Sequence, residues 1–167
     1  LAVRADVTDS DAVGAAVETV RDSFGGVDVY VHNTPVPGWD GPLDDDPAAL
    51  ATTLDTVGYG FALVVDELLA DLRESGGTVI HNTGEFVKWI TRTTAERLAP
   101  EGVHVVHAVI DGRVDDETVP ETVPESKRAD PDEIAVEFLR LVEQDRSAWT
   151  FEVDFRPWGD DAFRTRR

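Results

Sequence analysis

Short β-prone runs alternate with longer amphipathic segments along the whole chain, and this alternation constrains the fold more than any other feature. The β-prone runs are predicted at 1–7, 27–31, 78–81, 103–110 and 148–155. Helical spacing of apolar residues predicts helices at 8–24, 47–75, 85–98 and 131–143. This order predicts an α/β fold, in which flanking helices cover a mostly parallel sheet of about five strands.

Capping residues mark where several of these helices begin. Thr8 lies three residues before Asp11 in a pattern that resembles a capping box, and Asp46 precedes Pro47. Asp130 is predicted to cap the last helix. We expect one domain over 1–155, with a mobile polar loop at about 111–130, and a polar C-terminal tail over 156–167.

Charge and composition exclude several classes of protein. The chain has 34 acidic and 15 basic residues, a net charge of −19, so we expect no nucleic-acid partner. The acidic surface is typical of a halophilic protein, although an ordinary acidic protein is the alternative. Without cysteine the chain cannot form disulfides or use a thiol nucleophile. We expect neither a membrane span nor a signal peptide, and a cytoplasmic location.

The chain has no methionine and starts at Leu1, inside the first predicted strand. We expect it to be a piece of a longer protein, with a trimmed start as the alternative. Five segments, in order, resemble motifs of the short-chain dehydrogenase/reductase family. They are ADVTD at 5–9, FGGVDV at 24–29, HNTP at 32–35, LAPEGV at 98–103 and DGRVD at 111–115.

This resemblance implies a Rossmann-like fold that lacks the first βαβ unit of the family. It also implies NAD or NADP as cofactor and hydride transfer between an alcohol and a carbonyl. By the same resemblance Asp6 contacts the adenine and Asn33 lies on the cofactor side of the sheet. The alternative for Asp6 is a strand-end capping carboxylate, and for Asn33 a side chain that satisfies loop backbone.

The family's catalytic and phosphate-binding motifs are absent from the sequence. No Gly-rich turn joins a strand to a helix, and neither tyrosine, Tyr30 or Tyr59, is followed by lysine four residues later. By this resemblance the family's Tyr position falls on Ile80, its Ser position near Thr83 or Gly84, and its Asn position near Val57. We therefore assign no catalytic residue and expect a relative that is inactive alone. The alternatives are a fragment completed by an upstream segment, and a non-catalytic scaffold or homo-oligomer subunit.

Other polar residues are interpreted structurally. Lys88 is expected at the surface. His104 and His107 are three residues apart, so on a regular strand they face opposite sides, and no metal site is predicted. We expect Leu1–Val7 to pair directly beside the next strand, because a strand must satisfy its backbone groups. The substrate and the choice between NAD and NADP are not determined by these residues.

Overall fold

Helices and strands alternate along residues 1–34, 47–84 and 87–159, which the computed structural model describes. The helices are α1 (Ser10–Phe24), α2 (Pro47–Leu54), α3 (Gly60–Ser75), α4 (Lys88–Leu98) and α5 (Pro131–Val142). A π-helical turn, Asp55–Tyr59, joins α2 to α3. The strands are β1 (Val29–His32), β2 (Thr78–Asn82), β3 (His104–Ile110), β4 (Arg113–Val114), β5 (Arg128–Ala129) and β6 (Glu152–Phe155).

The main sheet has four strands in the order β1-β2-β3-β6, and all its neighbours are parallel. Helices connect these strands, as parallel crossovers require. The architecture confirms the predicted α/β, Rossmann-like class. A second, two-stranded parallel sheet pairs β4 with β5 within the polar segment at 111–130. That segment therefore contains regular pairing, whereas the sequence indicated only a loop.

Leu1–Val7 joins neither sheet, so its predicted pairing beside β1 is wrong, and four strands rather than five form the main sheet. Its alternate side chains line an apolar groove of about 390 Å³ that also contacts α1, α3 and Tyr30 of β1. A Cβ added at Gly60 would lie 2.8 Å from Val7 Cγ2, so Val7 packs directly on the start of α3. This contact holds the segment on α3, whereas pairing would require it about 4.8 Å from β1.

The core lies between α3 and the sheet. Phe61 and Leu72 of α3 are fully buried, as are Val79 of β2 and Val106 of β3. By length and composition alone, the continuous helix Pro47–Ser75 is apolar enough to cross a membrane. A core helix meets the same criterion, and six residues of α3 are buried in this fold.

The capping predictions are partly confirmed. Asp130 caps α5 by accepting a hydrogen bond from the Asp132 backbone N–H at 2.9 Å. The cap of α1 is Asp9 rather than Thr8, because the Asp9 carboxylate accepts from the backbone N–H groups of the first turn. The predicted cap Asp46 lies outside the described residues, as do most of the 156–167 tail and the first residues of the predicted helix 85–98.

Candidate functional site

Two asparagines meet where β1 and β2 end. Asn33 directly follows β1, Asn82 is the last residue of β2, and Asn82 Nδ2 donates to Asn33 Oδ1 at 2.6 Å. In open parallel sheets ligands bind outside the carboxyl ends of the strands. Asn33 therefore lies at the edge where a ligand is expected, but its side-chain oxygen bonds to Asn82. Asn82 was not predicted as a site residue, although its position directly after the predicted strand 78–81 was the available signal.

Asp6 lies in the segment that precedes α1. Its Oδ1 accepts hydrogen bonds from the Thr8 backbone N–H at 2.9 Å and from Thr8 Oγ1 at 2.7 Å. These bonds stabilise the carboxylate and hold the pKa of Asp6 below its ordinary value. Asp6 therefore forms a turn with Thr8, and its carboxylate is ionised and exposed.

A cavity of about 560 Å³ brings Asp6 close to the residues that follow β1. Thr34, the neighbour of Asn33, forms one part of its lining, and Thr56 of the π-turn forms another. The complete lining is Arg4, Ala5, Asp6, Val7, Ala12, Thr34 and Thr56. The cavity therefore combines a carboxylate, a guanidinium and two hydroxyls, and such a set can hydrogen-bond a polar heterocycle or a sugar. Neither Thr34 nor Thr56 was predicted as a site residue, because only the fold brings them to Asp6.

Tyr30 and Lys88, which could be considered as a catalytic Tyr–Lys pair, each contact another side chain. The Tyr30 hydroxyl lies 2.6 Å from His32 Nδ1, and burial raises the pKa of Tyr30. Lys88 forms an ion pair with Glu152, so it is paired as well as partly exposed. Ile80, on which the resemblance predicts the family's tyrosine position, is fully buried in β2. None of these three side chains is placed to act as a general base at the strand ends.

Three histidines form a buried row across the sheet, here called the histidine row: His32, His81 and His107. The register pairs His32 with His81 and His81 with His107, so the three lie opposite one another on β1, β2 and β3. Each is at most 1% exposed. Glu152 of β6 continues the row beside His107. The sequence places histidines in all three strands, but only the register reveals which of them form the row.

The histidine row packs against α3 and α4. The His81 ring stacks on Phe61 with centroids 3.9 Å apart, and His81 Nδ1 lies 2.8 Å from Thr91 Oγ1. Burial lowers the pKa of His32 to about 4. Burial, helped by the neighbouring His32 and His107, lowers the pKa of His81 to about 3. Both rings are therefore neutral near pH 7.

The described residues contain no group of three or more metal-ligating side chains arranged to hold an ion. His104 lies apart from the histidine row, because its ring stacks on Trp149 at 4.8 Å and its Nε2 lies 2.8 Å from the Thr150 carbonyl oxygen. His104 and His107 thus occupy different environments, as their spacing of three residues indicated.

Comparisons with known proteins agree with this fold. The sequence profile of a family described as Enoyl-(Acyl carrier protein) reductase matches residues 1–84, half of the chain. The chain therefore belongs to this family of short-chain dehydrogenases/reductases. No curated protein sequence matches it.

Solved structures share its architecture at low sequence identity. A short-chain dehydrogenase/reductase of Serratia marcescens superposes with a TM-score of 0.79 at 20% identity, covering 95% of this chain and 76% of its own. An alcohol dehydrogenase of the archaeon Thermococcus sibiricus, complexed with 5-hydroxy-NADP, superposes with a TM-score of 0.75 at 20% identity, and the match covers 93% of this chain and 74% of that one. L-Sorbose reductase of Gluconobacter frateurii, complexed with NADPH and L-sorbose, superposes with a TM-score of 0.73 at 20% identity, and the match covers 95% of this chain and 76% of that one.

The residues of this chain fit only part of a nicotinamide dinucleotide. The cavity beside Asp6 and Thr34 offers polar groups suited to an adenosine moiety. A pyrophosphate needs backbone N–H groups at a Gly-rich turn that opens a helix. In the described residues α1 begins after Asp9 without a glycine, and α3 continues from the π-turn, so neither provides that turn.

Proposed function

We propose that this chain is an oxidoreductase-type domain that binds the adenosine part of NAD or NADP and does not transfer hydride by itself. The observation that supports this proposal is the cavity that joins Asp6 to Thr34 at the carboxyl end of β1. The position is the one expected for a ligand of an open parallel sheet. Asp6 would accept hydrogen bonds from the adenine, and Asn33 would border the cofactor side.

The proposed lack of catalysis follows from the side chains that remain. Proton transfer to a carbonyl needs an acid positioned near the reacting oxygen and poised near the working pH. Tyr30 is half-buried beside His32, with its pKa raised by burial, and Lys88 is paired with Glu152. The chain thus keeps groups that recognise a nucleotide without a recognisable pair for the chemistry.

Calorimetric titration with NADH, NADPH and ADP-ribose tests the binding. We expect all three ligands to bind, and Asp6→Asn to weaken each by roughly tenfold or more, the usual effect of losing a hydrogen bond to a charged group. Asp11→Asn is the matched control, because Asp11 is an exposed carboxylate outside the cavity lining. Equal affinities for the wild type and Asp6→Asn would refute the assignment of Asp6.

A turnover assay tests the proposed inactivity. The chain is incubated with NADH or NADPH and a panel of aldehydes and ketones, and the absorbance of the reduced nicotinamide is followed. We expect no oxidation above the rate without protein. Sustained turnover that scales with protein concentration would overturn the proposal.

In a second candidate function, this chain is one part of an oxidoreductase, and another segment completes the enzyme. The apolar groove supports it, because Leu1–Val7 lines one side and the edge of β1, which pairs with no other described residue, lies on the other. An unpaired strand edge offers backbone donors and acceptors to an added strand. Coding DNA upstream of Leu1 that contains an in-frame strand and Gly-rich turn would support this candidate, and a stop codon directly upstream would refute it.

A third candidate is a non-catalytic subunit of a homo-oligomer. Exposed apolar side chains on the last helix and after β6 support it, because Leu139 is 63% exposed and Trp158 is 85% exposed. Light scattering at molar KCl, where self-repulsion is screened, measures the mass of the assembly. A strict monomer at all protein concentrations would refute this candidate.

A further inference from the structure

The histidine row lies directly beneath the helical segment Pro47–Ser75. Phe61 covers both His81 and His32, with ring centroids 3.9 Å and 5.6 Å away. The backbones of Thr56 and Val57, in the π-turn, lie against the His32 and His81 rings. The segment therefore rests on the row at the one place where its α-helical hydrogen bonding is interrupted.

The surroundings of His32 and His81 contain few groups that could balance a positive charge. Tyr30 contacts His32 from β1, and Thr91 contacts His81 from α4. Among the described residues no carboxylate forms a hydrogen bond or ion pair with either ring. His32 Nε2 and His81 Nε2 are buried without a hydrogen-bond partner of normal geometry, although the nearby carbonyls weakly favour a proton.

The charged groups near the row lie at its other end. Glu152 Oε2 of β6 is 3.8 Å from His107 Nδ1, and Lys88 of α4 pairs with the same carboxylate. The positive charge of Arg92 in α4 also favours the ionised form of Glu152. Glu152 can therefore compensate a proton on His107, whereas a proton on His32 or His81 would be a buried charge without a counter-ion.

We propose that the histidine row is an acid-operated latch: protonation of His32 or His81 releases the segment Pro47–Ser75 from the sheet while the strands stay paired. Water must reach the charged ring, and the helical side is the one that can move. β2 is hydrogen-bonded to strands on both sides, whereas the segment is interrupted by its π-turn above the row. Because Thr56 also lines the cavity beside Asp6, the release would change that cavity.

Hydrogen exchange at single amides tests the proposal without a variant. Exchange is measured at pH 7.5 and pH 5.0 in molar KCl and corrected for the intrinsic pH dependence of each amide. An imidazole that titrates near 6.5 when open and near 4 when closed should raise the opening constant about thirtyfold at pH 5.0. We expect this increase for the amides of α2, the π-turn and the first turns of α3, which open locally at both pH values, while the amides of β2 and β3 keep a higher free energy of opening because they exchange only on global unfolding.

Variants assign the effect to the row. His32→Phe with His81→Phe should abolish the pH dependence of exchange in the segment, since phenylalanine keeps a ring and cannot bind a proton. His104→Phe is the matched control, because His104 is a buried histidine that contacts Trp149 and Thr150 instead. We expect this control to keep the full response.

Three results would overturn the proposal. The first is an equal free energy of opening for the segment and for β2 and β3 at pH 5.0, which indicates that the segment opens only by global unfolding. The second is a segment that stays protected at pH 5.0. The third is an unchanged response in the double variant. If that variant does not fold, hydrogen exchange of the segment compared with that of β2 and β3 in the wild type still tests the proposal.

Discussion

His32 and His81 lie opposite each other on adjacent parallel strands, with ring centroids 5.1 Å apart and ring planes at 80°. Residues paired in register project to the same face of a sheet. Positions 49 residues apart in the sequence thereby become neighbours in the core, and His107 extends the row by the same rule. A row of neutral imidazoles makes part of the stability of this fold depend on pH.

The first prediction concerns the stability of the whole domain in acid. The pKa of His32 is about 4 in the folded chain and about 6.5 when unfolded, so the unfolded state binds more protons as the pH falls between these values. The free energy of unfolding should therefore be highest above pH 7 and fall by about 2 kcal/mol for His32 at pH 5. His81, shifted in the same direction, should add a similar loss.

Urea unfolding in molar KCl at pH 7.5 and pH 5.0 measures this loss. The salt screens the change in self-repulsion that acidification would otherwise cause in so acidic a chain. The free energy of unfolding of His32→Phe should change less between the two pH values than that of the wild type. Equal stability of the wild type at both pH values would show that the buried histidines do not resist protonation.

The second prediction concerns the ring that covers the histidine row. Phe61 is fully buried and stacks on His81, so Phe61→Ala should leave a cavity and lower the free energy of unfolding by about 3–5 kcal/mol. Tyr59→Ala is the aromatic control in the same helical segment, because Tyr59 is 53% exposed. The control should change stability by less than about 1 kcal/mol. Similar losses for both variants in urea unfolding would contradict the packing described here.

Several local features of the fold could be predicted from single residues. Asp130 and Pro131 identify the start of α5, and Gly76, with φ of 65°, ends α3 directly after the predicted helix 47–75. Gly58 and Gly60 are weak helix formers, and the structure places the π-turn and the start of α3 at these two residues. These signals are local, because caps and glycines act on the adjacent turn.

Other features depend on contacts between distant segments. The alternation in Leu1–Val7 correctly indicates which side chains face the apolar groove, but pairing also needs a neighbouring strand edge within reach. The cavity beside Asp6 likewise needs Thr34 and Thr56, which come from two other segments. Asp6 and Asn33 were identified by resemblance alone, and their role toward a cofactor remains a prediction.

The third prediction compares two glycines of the same helical segment. A Cβ at Gly60 would lie 2.8 Å from Val7 Cγ2 and 3.0 Å from the Val7 carbonyl oxygen, so Gly60→Ala should push Leu1–Val7 away and cost about 1–3 kcal/mol. A Cβ at Gly58 meets only the end of the Ile90 side chain, at 2.9 Å. Gly58→Ala should therefore be near neutral, because alanine favours helix by up to about 1 kcal/mol.

Limited trypsin digestion measures the displacement, since Arg4 is a cleavage site within Leu1–Val7. Cleavage at Arg4 should be faster in Gly60→Ala than in the wild type, and Gly58→Ala should resemble the wild type. Urea unfolding gives the accompanying free energies. Equal cleavage rates in all three proteins would show that Val7 does not depend on the space at Gly60.

The fourth prediction concerns salt. A net charge of −19 on 167 residues makes the folded chain repel itself, and at 1 M salt the screening length falls to about 3 Å. The melting temperature should therefore rise between 0.1 M and 2 M KCl. Replacing the exposed carboxylates Glu18, Asp22 and Glu74 with their amides should raise the melting temperature at 0.1 M KCl and flatten its dependence on salt. A wild-type melting temperature that does not change with KCl, or the same slope in the variant, would show that self-repulsion does not limit the stability of this fold.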